Sequence, residues 1–189
     1  MYAPVMGLTA AAPIDHAAAL TRALVARAQN GDAEAFGELI EDHYDLIHRT
    51  AWKWCGNRSD AEDIAQDVCV KLGGAISGFD GRSAFSSWVY RITLNAVRDM
   101  QRARGRRAKY AEAYAHVSPE DVPAEQEEAA TSSQLWAAVR TLPEKQRDSV
   151  LLVYAEELSH AAAADIMGCK EATVSWHIFE ARKTLRGLL

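Results

Sequence analysis

Glu157 and His160 stand at the Glu-x-x-His spacing with which helical bundles hold iron, and Asp45 and His48 form a weaker copy. Such a site needs two of these motifs and two more inward carboxylates on neighbouring helices. Here Glu157 and His160 straddle a predicted helix start with Leu158 between them, and Asp45 falls on a polar flank. Cys55, Cys69 and Cys169 form no Cys-x-x-Cys pair, so neither a zinc knuckle nor a disulfide framework is expected. No Ser-His-Asp, glycine-rich phosphate or metalloprotease pattern stands out. We therefore expect no catalytic residue, no metal and no cofactor. Reduced thiols fit a cytoplasmic protein. A different chemistry is better supplied. Residues 91–109 carry Arg91, Arg98, Arg102, Arg104, Arg106, Arg107 and Lys109 against Asp99 alone, directly after Trp88 and Tyr90. Guanidinium groups neutralise phosphates and aromatic rings stack on bases, which is the chemistry of nucleic-acid binding.

The whole-chain charge of −5 hides this block. Residues 30–72 hold ten acids and four bases, residues 110–134 hold six acids and no base, and residues 135–189 balance at seven each. The chain is a series of charged blocks rather than a mild polyanion. Its 189 residues, 49% hydrophobic and 25% charged, suit one large or two small globular domains and exclude wholesale disorder. The stretch MYAPVMGLTAAAPIDHAAAL has no basic start and no sustained apolar core, so no secretory signal is expected. Nowhere do about 18 apolar residues run together, so no membrane insertion is expected either.

The elements that position these groups read as helices throughout. After Asp32, the residues Phe36, Leu39, Ile40, Tyr44 and Ile47 form one apolar stripe, and Gly56-Asn57 closes that helix. Ser59 or Asp60 can cap the next, which carries Ile64, Val68 and Leu72 inward and stops at Gly73-Gly74. Gly78 to Gly81 reads as a turn, and Ser83 to Met100 as a third main helix. The acidic stretch Tyr110 to Gln134, with Pro119 and Pro123, reads as a tether. Leu135–Leu142 and Glu144–Tyr154 follow as short helices. Ala161 to Met167 capped by Ser159, a turn at Gly168-Cys169, and a helix from about Lys170 carrying Val174, Ile178, Ala181 and Leu185 inward together read as a helix-turn-helix.

Two long strings carry a family resemblance. DAEAFGELIEDHYDLIHRTAWKWCGNRSDAEDIAQDVCVKL followed by FDGRSAFSSWVYRITLNAVRDMQRARGRR resembles domain two of a bacterial RNA polymerase sigma factor. LPEKQRDSVLLVYAEELSHAAAADIMGCKEATVSWHIFEARKTLRGLL resembles domain four. With only a tether between them, the chain is similar to the extracytoplasmic-function (ECF) class. The resemblance implies an all-α fold of two small helical domains joined by a flexible linker. The expected boundaries are an N-terminal extension at 1–23, domain two at 24–108, an acidic linker at 109–134 and domain four at 135–189.

The resemblance also implies roles. Asp60, Glu62, Asp63, Gln66 and Asp67 would grip the clamp of the polymerase's largest subunit, an acidic face for a basic partner. Trp88, Tyr90, Arg91, Asn95, Arg98, Arg102 and Arg104 would melt and hold the −10 promoter element. Trp88 shares a stripe with Phe85 and Ile92 and is expected to serve the core as well. The loop Gly78 to Ser83 would wall a pocket for a flipped-out base. Glu171, Ala172, Thr173, Ser175, Trp176, His177 and Arg182 would read the −35 element, while domain four docks on the β flap. The chain departs from its relatives in several places. Ser175-Trp176-His177 stands where lysine-serine-arginine is common, Glu180 where a base is frequent, Ala162 where an acid is frequent, and Lys170 where a small capping residue is usual. Weak or unusual −35 readout is the expectation. Trp176 and Phe179 suit a surface covered by an inhibitor (anti-sigma) protein. The competing class, a helix-turn-helix regulator that binds DNA alone, has no use for the Asp60-to-Arg107 block.

Overall fold

The computed structural model describes residues 13–114 and 130–188. Among them every element is helical: α1 (Pro13–Gln29), α2 (Ala33–Cys55), α3 (Arg58–Ala75), a 3-10 turn (Ile76–Gly78), α4 (Phe85–Tyr114), α5 (Ala130–Thr141), α6 (Glu144–Val150), a π turn (Leu151–Ala155), α7 (His160–Met167) and α8 (Glu171–Arg186). The remainder of the expected N-terminal extension, residues 1–12, and the middle of the acidic tether, residues 115–129, lie outside the described residues.

Helices α1 to α4 form an N-terminal domain. Proline opens α1 at a position where its missing N–H is not needed, and Leu24, Val25 and Ala28 bury its far end against α2. Asp32 starts α2 by accepting the N–H groups of Glu34 and Ala35, both at 3.1 Å, and it pairs with Arg27 at 2.7 Å. The Ala35 amide and the Arg27 guanidinium hold its carboxyl below the usual carboxylate range. Leu39, Ile47, Ala51 and Trp54 of α2 meet Ile64, Ala65, Val68 and Leu72 of α3 and Val89, Leu94 and Val97 of α4 in one core.

Several sequence expectations shift in detail. Tyr44 leaves the apolar stripe and stacks on His48 at 6.3 Å, because the 3.6-residue period carries it off the buried face. Asn57, rather than Ser59 or Asp60, caps α3, its side-chain oxygen accepting the Asp60 N–H at 2.8 Å. Helix α3 continues through Gly73-Gly74 to Ala75, since buried Leu72 and Ile76 anchor both sides of the glycines. Helix α4 begins at Phe85 and passes Met100 to reach Tyr114, as an arginine-rich run favours helix.

Helices α5 to α8 form the C-terminal domain around Val139, Leu151, Leu152, Ala163, Ile166, Val174, Ile178 and Ala181. The expected helix Glu144–Tyr154 is divided: after Val150 the backbone widens, and the Glu156 N–H donates to Leu151 O at 3.0 Å. Ser159 caps α7 as expected, accepting the Ala162 N–H at 3.1 Å. Gly168, at φ 63°, makes the turn into α8. Lys170 begins α8 without a side-chain cap, as a residue with no acceptor must.

The two domains pack on each other through α4 and α7 and through α2 and the π turn. Gly56 records how closely. It ends α2 at φ 78°, and a Cβ there would lie 2.7 Å from Arg140 Nε of α5. Gly56→Ala therefore meets both a left-handed backbone and a guanidinium. We expect it to lower unfolding stability by about 1–2 kcal/mol in urea titration.

Candidate nucleic-acid interface

Arg91, Asn95, Arg98 and Arg102 recur at spacings of four, three and four, so α4 presents them along one face. That face is already engaged with carboxylates of the C-terminal domain. Asp148 of α6, fully buried, accepts from Trp54 Nε1 at 2.8 Å and from the Arg98 guanidinium, whose Nε lies 3.2 Å away. Glu144 stands 3.1 Å from Arg98 and 3.6 Å from Arg102. Arg91 donates to the Asp165 carbonyl at 3.1 Å and lies 3.8 Å from its carboxylate. Arg98 also donates to Asn95 Oδ1 at 3.2 Å, which orients the guanidinium toward Asp148.

Tyr90 points the same way. Its ring is buried, and its hydroxyl donates at 2.8 Å to Glu156, whose side chain is 2% exposed. Burial, and then the Glu156 carboxylate, hold the phenol protonated far above its ordinary pKa. Lys53 of α2 completes the site, 2.8 Å from the other Glu156 oxygen. Trp88 is half-buried in a cluster with Phe79 and Phe85, ring centroids 5.1 and 5.5 Å away. It serves the core, as the stripe it shares with Phe85 implies.

Of the five acidic and polar residues on α3, four point outward and one does not. Asp63, Gln66 and Asp67 are exposed, and Glu62 is half-exposed and pairs with Arg58 at 2.8 Å. Asp67 lies 3.7 Å from Lys71. Asp60 is buried and takes both Arg104 nitrogens in a two-pronged pair, so Asp60 and Arg104 fasten α3 to α4. Val70, 77% exposed, lies on the outer stripe with Asp63 and Asp67. The sequence hid it among its buried neighbours Val68 and Leu72.

The Gly78-to-Ser83 loop borders a cavity of about 570 Å³ between α1 and the start of α4. Thr21, Arg22, Gln29, His43, Asp80 and Phe85 are among its lining residues. Gln29 holds the loop in place by donating to Ile76 O at 3.0 Å and Phe79 O at 2.8 Å.

On α8, Glu171, Ala172, Ser175, Trp176 and Arg182 are exposed, while Thr173 and His177 are half-buried. His177 turns inward, and burial followed by the nearby Lys145 lowers its pKa. Arg182 stacks over Tyr154 at 5.6 Å and donates to its hydroxyl. Trp176 and Phe179 are 56% and 65% exposed, an apolar patch on an otherwise polar helix face. His160 and Ser175 share a hydrogen bond of 2.9 Å, and among the described residues no three His, Cys, Asp or Glu side chains gather as a metal site.

Lys53, Glu144, Asp148, Glu156 and Asp165 escaped the sequence reading. Their partners lie 50 or more positions away, except Glu144, whose contact with Arg98 is equally non-local. One local signal existed: Asp148 is a charge two positions before the apolar run from Val150.

Comparison with known proteins identifies the family. The family Sigma-70 region 2 matches residues 39–107, and Sigma-70, region 4 matches residues 132–185. The ECF RNA polymerase sigma-E factor of Haemophilus influenzae is 33% identical over 178 residues, covering 87% of this chain and 92% of the relative. The ECF RNA polymerase sigma factor SigW of Bacillus subtilis is 30% identical, covering 86% and 92%. The solved structure of CnrH in complex with the cytosolic domain of CnrY is similar with a TM-score of 0.64 at 26% identity, over 89% of this chain and 96% of that one. With both regions matched in order over an all-helical fold, the chain belongs to the ECF class of RNA polymerase sigma factors.

Proposed function

We propose that this sigma factor, a promoter-specific initiation factor, works through three separate surfaces. The exposed Asp63, Gln66 and Asp67 on α3, with half-exposed Glu62, dock on a basic surface of core polymerase, the clamp of its largest subunit. The α4 face of Arg91, Asn95, Arg98 and Arg102, with Tyr90 beside it, binds the opened −10 strand, its guanidinium groups on phosphates. The cavity beside the Gly78-to-Ser83 loop has room for one unstacked base. Helix α8 enters the major groove at −35 with Glu171, Ala172, Ser175 and Trp176 foremost, while Arg182, Lys183 and Arg186 reach phosphates. The C-terminal domain docks on the β flap. The observation that carries this reading is the α4 arginine face, which already holds anionic oxygens in place.

As a specificity subunit the chain needs no reaction centre of its own, and we assign it none, nor a cofactor. Among the described residues no helix is long and apolar enough to cross a membrane, and we place its work in the cytoplasm, where the polymerase is. Core polymerase supplemented with the purified chain should initiate from promoters that core alone ignores, and Arg102→Ala should reduce that initiation at least about tenfold. Initiation indifferent to Arg102 would remove the α4 reading.

An anti-sigma partner is part of the proposal. CnrH was solved with the cytosolic domain of CnrY. Trp176 and Phe179 give such a partner an apolar foothold. Replacing both with alanine should weaken a cognate inhibitor about a hundredfold or more in pull-down titration. Unchanged affinity would remove the two rings from the inhibitor-binding surface.

A further inference from the structure

We propose that α8 reads the −35 element through thymine methyl groups rather than through guanine edges, with Trp176 and Phe179 as the side chains that set this preference. The proposal rests on the placement of α8 at −35 given above and deepens it by naming the bases that fit.

The order of side chains along one stripe of α8 carries it. Ala172, Trp176, Phe179, Lys183 and Arg186 recur at spacings of four, three, four and three, so they share one face of the helix. All five are exposed, while Val174, Ile178 and Ala181 bury the opposite side. The stripe begins apolar and ends basic. In a helix-turn-helix the N-terminal residues of the second helix meet base edges. The two large rings therefore stand where bases are read, and Lys183 and Arg186 stand where phosphate contacts fix the register of the helix.

Among the described residues, no guanidinium is free to join the rings at that end. Arg182 lies over the Tyr154 ring at 5.6 Å and donates to its hydroxyl, which draws it toward the turn after α6. Ser175 donates to Glu171 O at 3.2 Å and shares a hydrogen bond of 2.9 Å with His160. Thr173 and His177 are half-buried. Lys170 begins the helix outside the stripe, and its compact ammonium suits a phosphate.

Guanine presents N7 and O6 to the major groove and is recognised by a two-pronged donor, most often arginine. The single N–H of the Trp176 indole cannot form that pair. Thymine presents a methyl group, whose match is an apolar side chain. Glu171, exposed in the first turn, has only acceptors, so it suits the amino group of cytosine or adenine and adds nothing for guanine.

Holoenzyme assembled from core polymerase and the full chain, without an inhibitor, tests this on synthetic templates. Transcription from a promoter that it uses, with the −35 positions randomised, should enrich A·T pairs over G·C pairs. In the enriched sequence, deoxyuridine in place of the −35 thymines removes methyl groups and leaves every hydrogen-bonding group in place. Each buried methyl contributes roughly fourfold, so initiation by the wild-type chain should fall about tenfold or more. Trp176→Ala with Phe179→Ala should initiate weakly, and from both templates equally to within about twofold. Both side chains are exposed, so the double variant should keep native helicity by circular dichroism. Wild-type initiation indifferent to deoxyuridine overturns the proposal, as does a double variant that still distinguishes the two templates. Enrichment of G·C pairs overturns it as well. A scrambled −35 element judges the placement of α8 separately. If scrambling leaves initiation unchanged, α8 does not read −35 and the proposal falls with that placement. If scrambling abolishes initiation while deoxyuridine costs nothing, only the methyl readout is lost.

Discussion

Asp63→Lys with Asp67→Lys is expected to lower the affinity of the chain for core polymerase about a hundredfold, or ~2.7 kcal/mol, with little change in folding. The two carboxylates are four residues apart on α3, exposed, and directed away from the core formed by Ile64, Val68 and Leu72. Attraction to a basic clamp surface becomes like-charge repulsion when both signs are reversed, which costs several kcal/mol where the charges meet directly. Exposed substitutions of this kind change folding stability by only about 0.5 kcal/mol. Competition binding against core polymerase measures the first effect and thermal unfolding the second. Core affinity within threefold of wild type would remove α3 from the docking surface. Asp60 was expected to share this role, yet it is buried against Arg104, so Asp60→Asn belongs to a different experiment. It should weaken the α3–α4 junction rather than a docking face.

The largest expected effect on stability is at Trp54, with Trp54→Ala costing about 3–5 kcal/mol. The side chain is 1% exposed in the last turn of α2, within the core that α2, α3 and α4 share, so truncation opens a cavity in the N-terminal domain. It also removes a donor from Asp148, a carboxylate with no access to water. Hydrogen bonds to charged groups contribute about 1.5–3 kcal/mol each. Trp54→Phe keeps most of the volume and loses only the indole donor, so it should cost about 1.5–3 kcal/mol and leave the fold intact. Denaturant titration distinguishes the two. Equal losses would mean that the hydrogen bond, not the cavity, dominates, and a loss below about 1 kcal/mol for alanine would show that the core relaxes into the space.

The residue pattern carried most of this fold because its signals are local. Stripes such as Leu39–Ile47 and Val174–Ile178–Ala181 state which face is buried, Gly56 and Gly168 state where helices end, and Ser159 states where one begins. Finer features depended on geometry that no window of sequence contains. Asn57 outcompeted Ser59 and Asp60 as a cap because Asp60 was drawn to Arg104. The widened turn after Val150 has no sequence mark that separates it from a continuous helix. The clasp between domains was the least legible. Asp148 and Glu156 read as ordinary solvated acids until folding brings Trp54, Arg98, Lys53 and Tyr90 to them. Within a chain of net charge −5, Arg91, Arg98 and Arg102 of α4 are paired in place with carboxylates of the C-terminal domain.

Promoter recognition by this chain should depend on core polymerase. Footprinting on one promoter fragment, with the chain alone, core polymerase alone, and the two together, tests it most directly. Protection of both the −10 and −35 elements only when the two are combined is the predicted result. Stable, specific protection by the chain alone would contradict it, and would make the protein a self-sufficient helix-turn-helix regulator.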